Sequence, residues 1–241
     1  MKDVLVIIPA RGGSKRVPRK NIKPICGQPM IYWPLMALSK LFRAEQILLS
    51  TDDAQIAAVV REKGVATPYT RPDSLADDFT GTMAVAAHAL NWHEQNVGKV
   101  DSVLIVYPTA VLLNPQDIQA AYAALTQDAS CDLIMAATTF PFPIQRAVFK
   151  NSHGYAQMFQ PEHAMTRSQD LTEALHDAGQ FYLCRAEAVR REMNVTNANV
   201  GMQILNRKNV VDIDTVEDFD VAESKMKTLG LDAYDAEWRF H

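Results

Sequence analysis

The sequence predicts an α/β fold in which a mostly parallel sheet is flanked by helices, a Rossmann-like architecture. Short apolar runs rich in Val, Ile and Leu, typical of strands buried on both faces, alternate with longer segments of helical periodicity. No repeat interrupts this alternation. Gly and Pro, at 10 and 12 of 241 residues, are too few for a low-complexity chain.

Six runs predict strands, and Val4–Ile8 is the most continuous. The others are Gln46–Ser50, Val103–Tyr107, Asp132–Ala137, Gln180–Cys184 and Val210–Ile213. Helices are expected within Met30–Phe42 from about Ile31, and over Ala54–Lys63, Thr80–Glu94, Pro115–Leu125 and Val216–Thr228. Asp52, Asn114 and Thr215 are the expected N-caps, and Pro34 is tolerated because it falls in a first turn.

The segment Phe140–His163 breaks the rhythm. It is rich in Phe and Pro and holds a turn signal, Ser152-His153-Gly154, so it predicts a β-hairpin excursion. We expect a single domain over residues 1–228 that contains this excursion. Residues 229–241 form a tail to which no role is assigned.

Composition excludes several classes of function. The net charge is −4, with 24 basic and 28 acidic residues, so neither a nucleic-acid partner nor a polybasic membrane contact is expected. No run of 18 apolar residues occurs, which excludes a membrane span. Three cysteines far apart, with no CxxC pair, argue against disulfides and zinc and favour a cytoplasmic protein.

The loop after the first predicted strand carries the strongest signal. Five basic residues fall within ten positions, together with two glycines and a serine: Arg11, Gly12, Gly13, Ser14, Lys15, Arg16, Arg19 and Lys20. Glycines let backbone N–H groups approach an anion, and Arg and Lys neutralise phosphate. The loop therefore predicts phosphate binding. The alternative is a solvated basic turn, and the spacing matches neither GxxxxGK[ST] nor GxGxxG.

Two aspartates near the end of the last predicted strand suggest a cation site. Asp212 and Asp214 are two apart, so on a strand both side chains would face one side and repel unless a divalent cation lies between them. Oxygen ligands of this kind favour Mg²⁺. The alternative is that Asp214 caps the final helix and Asp212 is solvated.

Two further clusters are candidate contacts. Arg71 and the segment Thr80-Gly81-Thr82 at a helix start could reach a nucleotide, although the threonines taken alone are more typical of plain helix caps. A second polar cluster precedes and enters the strand Gln180–Cys184; it includes Arg167, His176, Asp177, Gln180 and Tyr182. Gln145 and Arg146 lie in the excursion. Arginine suits a carboxylate substrate, whereas His176 could equally be structural.

These motifs together resemble the acylneuraminate cytidylyltransferase family. IPARGGSKRVPRKN is similar to the family's opening signature, and the likeness continues through STDD, RPDSLADD, TGT and DIDT, over about residues 1–228. The resemblance implies a nucleotidyltransferase fold, a homodimer joined through the excursion, CTP with Mg²⁺, and a nine-carbon keto-sugar acid as acceptor. It places CTP on Arg11, Gly12, Gly13, Ser14, Lys15, Lys20, Asn21, Arg71, Thr80, Gly81 and Thr82. It also implies that Asp212 and Asp214 hold the metal.

The stretch from Tyr107 to Leu113, at the end of the third predicted strand, indicates one branch of the family. Where sialic acid enzymes carry a glutamine, this chain has Tyr107, and where they carry an arginine it has Leu113. FPIQR, RSQDL and HDAGQFY resemble the pseudaminic acid branch, which implies sugar contacts from Tyr107, Gln145, Arg146, Arg167, His176, Asp177, Gln180 and Tyr182.

The expected reaction is attack of the sugar's anomeric hydroxyl on the α-phosphorus of CTP, with release of pyrophosphate. Arg11 and Lys20 are the expected catalytic cations, because positioning and charge neutralisation dominate such transfers. The alternatives are a sialic, legionaminic or 3-deoxy-octulosonic acid enzyme, and a non-catalytic nucleotide sensor.

Overall fold

The computed structural model describes residues 1–233 and 237–240, and its centre is a six-stranded sheet. The sheet strands are β1 (Val4–Pro9), β4 (Ile47–Ser50), β5 (Ser102–Val106), β6 (Leu133–Thr139), β9 (Leu175–Arg185) and β10 (Val200–Ile204). Two small hairpins stand apart: β2 (Pro24–Ile25) with β3 (Gln28–Pro29), and β7 (Val148–Lys150) with β8 (Ala156–Met158). The helices are α1 (Tyr32–Leu38), α2 (Ala54–Glu62), α3 (Thr82–Asn96), α4 (Pro115–Gln127), α5 (Ala186–Arg190) and α6 (Val216–Thr228).

The expectation of a mostly parallel sheet is confirmed. The strand order is β10-β6-β9-β5-β1-β4, and β9 alone runs opposite to its neighbours in this sheet. Parallel pairing joins β1 to β4 and β5, and β10 to β6. The loops after five strands, and the start of β9, therefore meet at one edge of the sheet, where ligands bind in such folds.

Helices cover both faces of the sheet. Val4, Val6 and Ile8 of β1 pack in one core cluster, while Leu5 and Ile7 pack in another on the opposite face. This alternation explains why the strand is apolar at every position. Among the described residues, no helix is both long and apolar enough to cross a bilayer. All three cysteines are free.

The prediction of a strand at Val210–Ile213 is wrong. Those residues form an extended loop outside the sheet, and the sheet position is taken by β10, which the sequence did not predict. β10 is an edge strand with one paired side, so Gly201 and Gln203 interrupt any apolar run. Gly201 fits closely: a Cβ there would lie 2.5 Å from Ile134 Cδ1.

Two of the three expected N-caps are confirmed. Asn114 caps α4, and Thr215 with Asp218 forms a capping box on α6. The expected cap Asp52 is wrong, because Asp53 accepts from the N–H groups of Gln55 and Ile56 at the start of α2. The third helix begins at Thr82, two residues later than expected.

The excursion contains the predicted hairpin, formed by β7 and β8. Its ordered turn is closed by Asn151, whose side chain accepts from the N–H groups of His153 and Tyr155. The tail of unassigned role returns to the core: Phe240 is buried and donates its N–H to Lys63 O. Residues 234–236 and 241 of that tail lie outside the described residues.

Candidate active site

A cavity of about 560 Å³ opens at the carboxyl edge of β1, β4 and β5, and we call it the main cleft. The first loop, the segment before α3 and the residues after β5 form its walls. Ten residues singled out from the sequence line it: Arg11, Ser14, Lys15, Lys20, Asn21, Arg71, Thr80, Thr82, Tyr107 and Asp214. The topology thus brings together motifs that are dispersed along the chain.

One side of the main cleft is closed by Asp78. Its carboxylate accepts from Arg11 at 2.7 Å and forms an ion pair with Lys15. Asp77 shapes this turn, since its carboxylate accepts from the N–H groups of Phe79 and Thr80. Hydrogen bonds from Lys15 and then Arg11 hold the pKa of Asp78 below its ordinary value. Two cations of the first loop are therefore neutralised on this side.

On the other side, Asp214 pairs with two more cations of the same loop. Lys20 Nζ lies 3.0 Å from one carboxylate oxygen and Arg16 lies 2.8 Å from the other. Lys20 also donates to Ile213 O at 2.7 Å. The Lys20 hydrogen bond is the main cause that lowers the pKa of Asp214. Four cations of the first loop therefore border the cleft, each held by a carboxylate that an incoming anion must displace or share.

Hydrogen bonds hold the backbone of the first loop at Arg11 and Gly12. The buried Asn21 side chain donates to Arg11 O at 2.9 Å. The N–H of Gly12 donates to Asp52 at 2.9 Å, and a Cβ at Gly12 would lie 2.6 Å from Asp53 Oδ2. Gly12 is required by this close approach, whereas Gly13 faces open space.

Arg71 sits at the floor of the main cleft. It is only 4% exposed, and its guanidinium donates to both the hydroxyl and the carbonyl oxygen of Ser50. Burial is the main cause that lowers the pKa of Arg71. A buried cation that lines a cavity favours an anionic or strongly polar ligand there.

A wall of hydroxyl groups separates the main cleft from a second cavity. Tyr107 Oη lies 2.8 Å from Thr82 Oγ1, and the Tyr107 ring meets the Tyr182 ring edge to face at 6.1 Å. Tyr182 in turn donates to Asp177. Burial is the main cause that raises the pKa of both phenols, so they remain hydrogen-bond donors. Gly81 lines a small pocket beside this wall.

The second cavity, of about 460 Å³, lies on the far side of the wall. His176, Asp177 and Asp212 line it, as predicted site residues. Arg207 and Lys225 also line it, and Lys225 donates to Val210 O. The cavity therefore offers two cations and two carboxylates beside aliphatic walls, a lining suited to a polar acid.

Asp212 and Asp214, the predicted metal pair, are close enough for the charge of one to act on the other. Burial, and then the charge of Asp214, raise the pKa of Asp212. This mutual repulsion is what a bound cation relieves. The described residues contain no cluster of three or more His, Cys, Asp or Glu groups placed to hold a metal. Two carboxylates suffice for Mg²⁺ when substrate phosphates and water complete its shell.

The strand geometry behind the predicted metal pair was nevertheless wrong. Asp212 and Asp214 lie in a loop, so their proximity does not come from strand alternation. The alternative that Asp214 caps the final helix is also wrong, because Thr215 is the N-cap and Asp218 accepts from the N–H of Asp214.

Four predicted sugar contacts are occupied elsewhere. Gln145 and Arg146, in the excursion, donate to the carbonyl oxygens of Thr172 and Thr166, which follow it in the chain. Arg167 forms an ion pair with Asp170 at 2.7 Å. These three residues line neither cavity. Gln180 is buried and donates to Asn209 O at 2.6 Å, which fixes the loop that leads to Asp212.

Several site residues carried no predicted role. Asp77 and Asp78 stand inside a quoted motif, but the sequence does not say which charges pair with them. Arg207 and Lys225 carried no signal, because a lone basic residue on a loop or an exposed helix is usually solvated. Only the return of the chain past β10 places them beside Asp212.

Comparison with known proteins adds a family and close relatives. A family model described as cytidylyltransferase matches residues 5–234. A pseudaminic acid cytidylyltransferase of Campylobacter jejuni subsp. jejuni serotype O:2 is 38% identical over 219 residues, which are 91% of this chain and 94% of the relative. A CMP-N,N'-diacetyllegionaminic acid synthase of Legionella pneumophila is 36% identical over 118 residues, 49% of this chain and 51% of that protein.

Solved structures agree on the fold. A CMP:2-keto-3-deoxy-manno-octonic acid synthetase in complex with CTP superposes with a TM-score of 0.67 at 17% identity, covering 95% of this chain and all of that chain. A 4-diphosphocytidyl-2C-methyl-D-erythritol synthase of Anaerococcus prevotii gives a TM-score of 0.62 at 14% identity, covering 94% and 99%. The expected nucleotidyltransferase fold is therefore confirmed.

Proposed function

We propose that this chain, which belongs to the cytidylyltransferase family, transfers CMP from CTP to pseudaminic acid and releases pyrophosphate. The observation that carries this proposal is the position of the main cleft, whose cationic loop faces Asp214, directly beside a second cavity that suits a sugar acid. The relative that is 38% identical carries the same activity in its name.

The main cleft accounts for the nucleotide. Arg11, Lys15, Arg16 and Lys20 approach one ligand-sized space from two sides, as a triphosphate requires. Their present partners, Asp78 and Asp214, neutralise them without filling that space. In the reaction Lys20 and Arg11 would stabilise the charge that develops on pyrophosphate as the bond to the α-phosphorus breaks.

Asp212 and Asp214 would hold Mg²⁺. Bound there, Mg²⁺ would neutralise triphosphate charge and help to orient the α-phosphorus. The chain's own residues then have separate tasks. Lys20 would release one oxygen of Asp214 on turning to phosphate, while the Asp218 carboxylate accepts from the N–H of Asp214 and keeps that backbone in place.

The second cavity would hold the sugar acid. Arg207 and Lys225 offer the positive charge that a carboxylate needs, in place of the expected Arg146 and Arg167. Tyr107, in the wall between the two cavities, presents a flat ring and one hydroxyl at the position where sialic acid enzymes carry glutamine. Such a wall favours a sugar with fewer hydroxyls and more apolar substituents, as a deoxygenated di-N-acylated nonulosonate has.

We also propose a cytoplasmic homodimer joined through the excursion. Val148, Tyr155, Phe159 and Met165 are all more than half exposed on or beside the hairpin, an apolar surface that a second copy of this chain would cover. Sedimentation should show a dimer for the unmodified protein and a monomer for a Tyr155→Ser, Phe159→Ser variant. A monomeric unmodified protein would refute the dimer.

The test of the activity is pyrophosphate release from CTP and Mg²⁺ with a panel of sugar acids. The panel contains pseudaminic, legionaminic, N-acetylneuraminic and 3-deoxy-octulosonic acids. We expect release with pseudaminic acid above all others. A nucleotide sensor would bind CTP and release nothing with any member, and preference for another sugar acid would move the protein to a different branch.

A further inference from the structure

Strand β9 contains a bulge at the wall between the two cavities. On β6, Met135 pairs with Tyr182 and Ala137 pairs with Asp177. Two residues along β6 therefore correspond to five residues along β9, where a regular pairing would give two. Gly179 turns the chain there with φ at +62°, a conformation that favours glycine. Bulges of this kind re-aim side chains and occur beside active sites.

The bulge makes a contact that a regular strand forbids. Residues five apart on an unbroken strand are about 17 Å apart and face opposite sides. Here the Asp177 carboxylate accepts from the N–H of Gly179 at 2.8 Å with one oxygen and from the Tyr182 hydroxyl with the other. A carboxylate only accepts, so Asp177 fixes Tyr182 as the donor and sets the direction of its hydroxyl.

Tyr182 in turn supports Tyr107. Their rings meet edge to face, and the electrostatic interaction with Tyr107 is, after burial, the next cause that raises the pKa of Tyr182. The Tyr107 hydroxyl then reaches Thr82 at the start of α3. A continuous series of contacts thus runs from Asp177, in the second cavity, to Tyr107 and Thr82, in the main cleft.

We propose that Asp177 is a positioning residue that acts through Tyr182 to hold the Tyr107 ring against the sugar acid. The inference rests on the proposed function and deepens it. Asp177 would thereby set sugar specificity without touching the nucleotide, because Asp177 and Tyr182 do not line the main cleft in which the four cations of the first loop lie. The ligand feature that it governs is the N-acyl or hydroxyl group that meets Tyr107.

A double-mutant cycle tests this assignment. Asp177→Ala and Tyr182→Phe should each lower kcat/KM for pseudaminic acid about tenfold, mainly through KM, while KM for CTP changes less than twofold. The double variant should be no worse than the poorer single variant, because both changes break one contact. Asp177→Asn, whose amide oxygen can still accept from Tyr182, should recover most of the loss. Asp220→Ala, an exposed change on α6, is the matched control.

The outcomes separate the two proposals. If the unmodified enzyme is active but the two losses multiply in the double variant, Asp177 does not act through Tyr182 and the inference falls alone. If KM for CTP rose in these variants as much as KM for pseudaminic acid, the inference would also be overturned. Tyr182→Phe removes only one oxygen atom, so its kinetics decide the question even if Asp177→Ala fails to fold. If the unmodified protein uses no sugar acid, the proposed function falls and takes the inference with it.

Discussion

Lys20 and Asp214 are 194 positions apart in the chain, and their side chains form an ion pair of 3.0 Å at the edge of the sheet. The pair joins the basic loop after β1 to the acidic loop before α6. Lys20 is mostly buried, so its charge is less screened than that of a surface lysine. An anion in the main cleft therefore meets a cation that is already placed and an acidic group that a metal can share.

Removal of Lys20 tests the catalytic role of the first loop. Lys20→Ala should lower kcat/KM by about 10²-fold, since deletion of one positioned charge costs about 3 kcal/mol of transition-state stabilisation. Steady-state kinetics with CTP measures this, and thermal unfolding checks that the variant folds. Lys2→Ala, at the exposed N-terminus, is the control. Kinetics in Lys20→Ala equal to those of the control would make the loop a solvated basic turn.

Asp212→Asn and Asp214→Asn test the metal site. Each variant should lose about 10²-fold in turnover while it stays folded, and each should need more Mg²⁺ for half-maximal rate. Asp220→Asn leaves the site intact and serves as the control. Isothermal titration of Mg²⁺ in the presence of a non-hydrolysable CTP analogue gives a second readout. Normal rates for both variants at limiting Mg²⁺ would refute the assignment.

Asp78 pairs with two cations, Arg11 and Lys15, that we propose bind CTP. Asp78→Asn removes the negative charge that pairs with Arg11 and Lys15, so KM for CTP should fall about threefold, the scale of an exposed ion pair. The pKa of Asp78 is lowered by these partners, so the pairs persist at neutral pH and weaken as pH falls through that lowered pKa. The gain should therefore be present at about pH 7 to 8. Asp73→Asn in the same segment is the control, and a higher KM for CTP in Asp78→Asn would show that Asp78 assists binding instead.

Tyr107 tests how the wall discriminates between sugars. Tyr107→Gln should reduce the preference for pseudaminic over N-acetylneuraminic acid, because the amide can pair with groups that the ring leaves without partners, at about 1–3 kcal/mol for each. CTP use should persist, since the phosphate loop is elsewhere. The ratio of the two kcat/KM values is the measurement. If the ratio were unchanged in the variant, Tyr107 would not determine which sugar is preferred.

The motif residues of the nucleotide side could be predicted because they are local. Arg11, Lys20 and Asn21 belong to one loop directly after a buried strand, and a parallel sheet brings such loops to one edge. The third helix and the capping box at Thr215 followed from equally local signals.

The sugar side could not be predicted in the same way. Arg146 pairs with the carbonyl oxygen of Thr166 and Arg167 with the carboxylate of Asp170, whereas Arg207, on the loop after β10, and Lys225, on α6, line the second cavity. β10 itself has no continuous apolar pattern, so the route of that loop was hidden. The contact between Asp177 and Tyr182 depends on a bulge, which a strand pattern in the sequence does not reveal.

Competition between two sugars decides whether pseudaminic acid is the acceptor of CMP. Pseudaminic and N-acetylneuraminic acids are supplied at equal concentration with limiting CTP and Mg²⁺, and the CMP-sugars formed are quantified by mass spectrometry. We expect at least about 10²-fold more CMP-pseudaminic acid, the equivalent of two unpaired polar groups. Equal amounts of the two products, or an excess of the N-acetylneuraminic acid product, would show that pseudaminic acid is not the preferred acceptor.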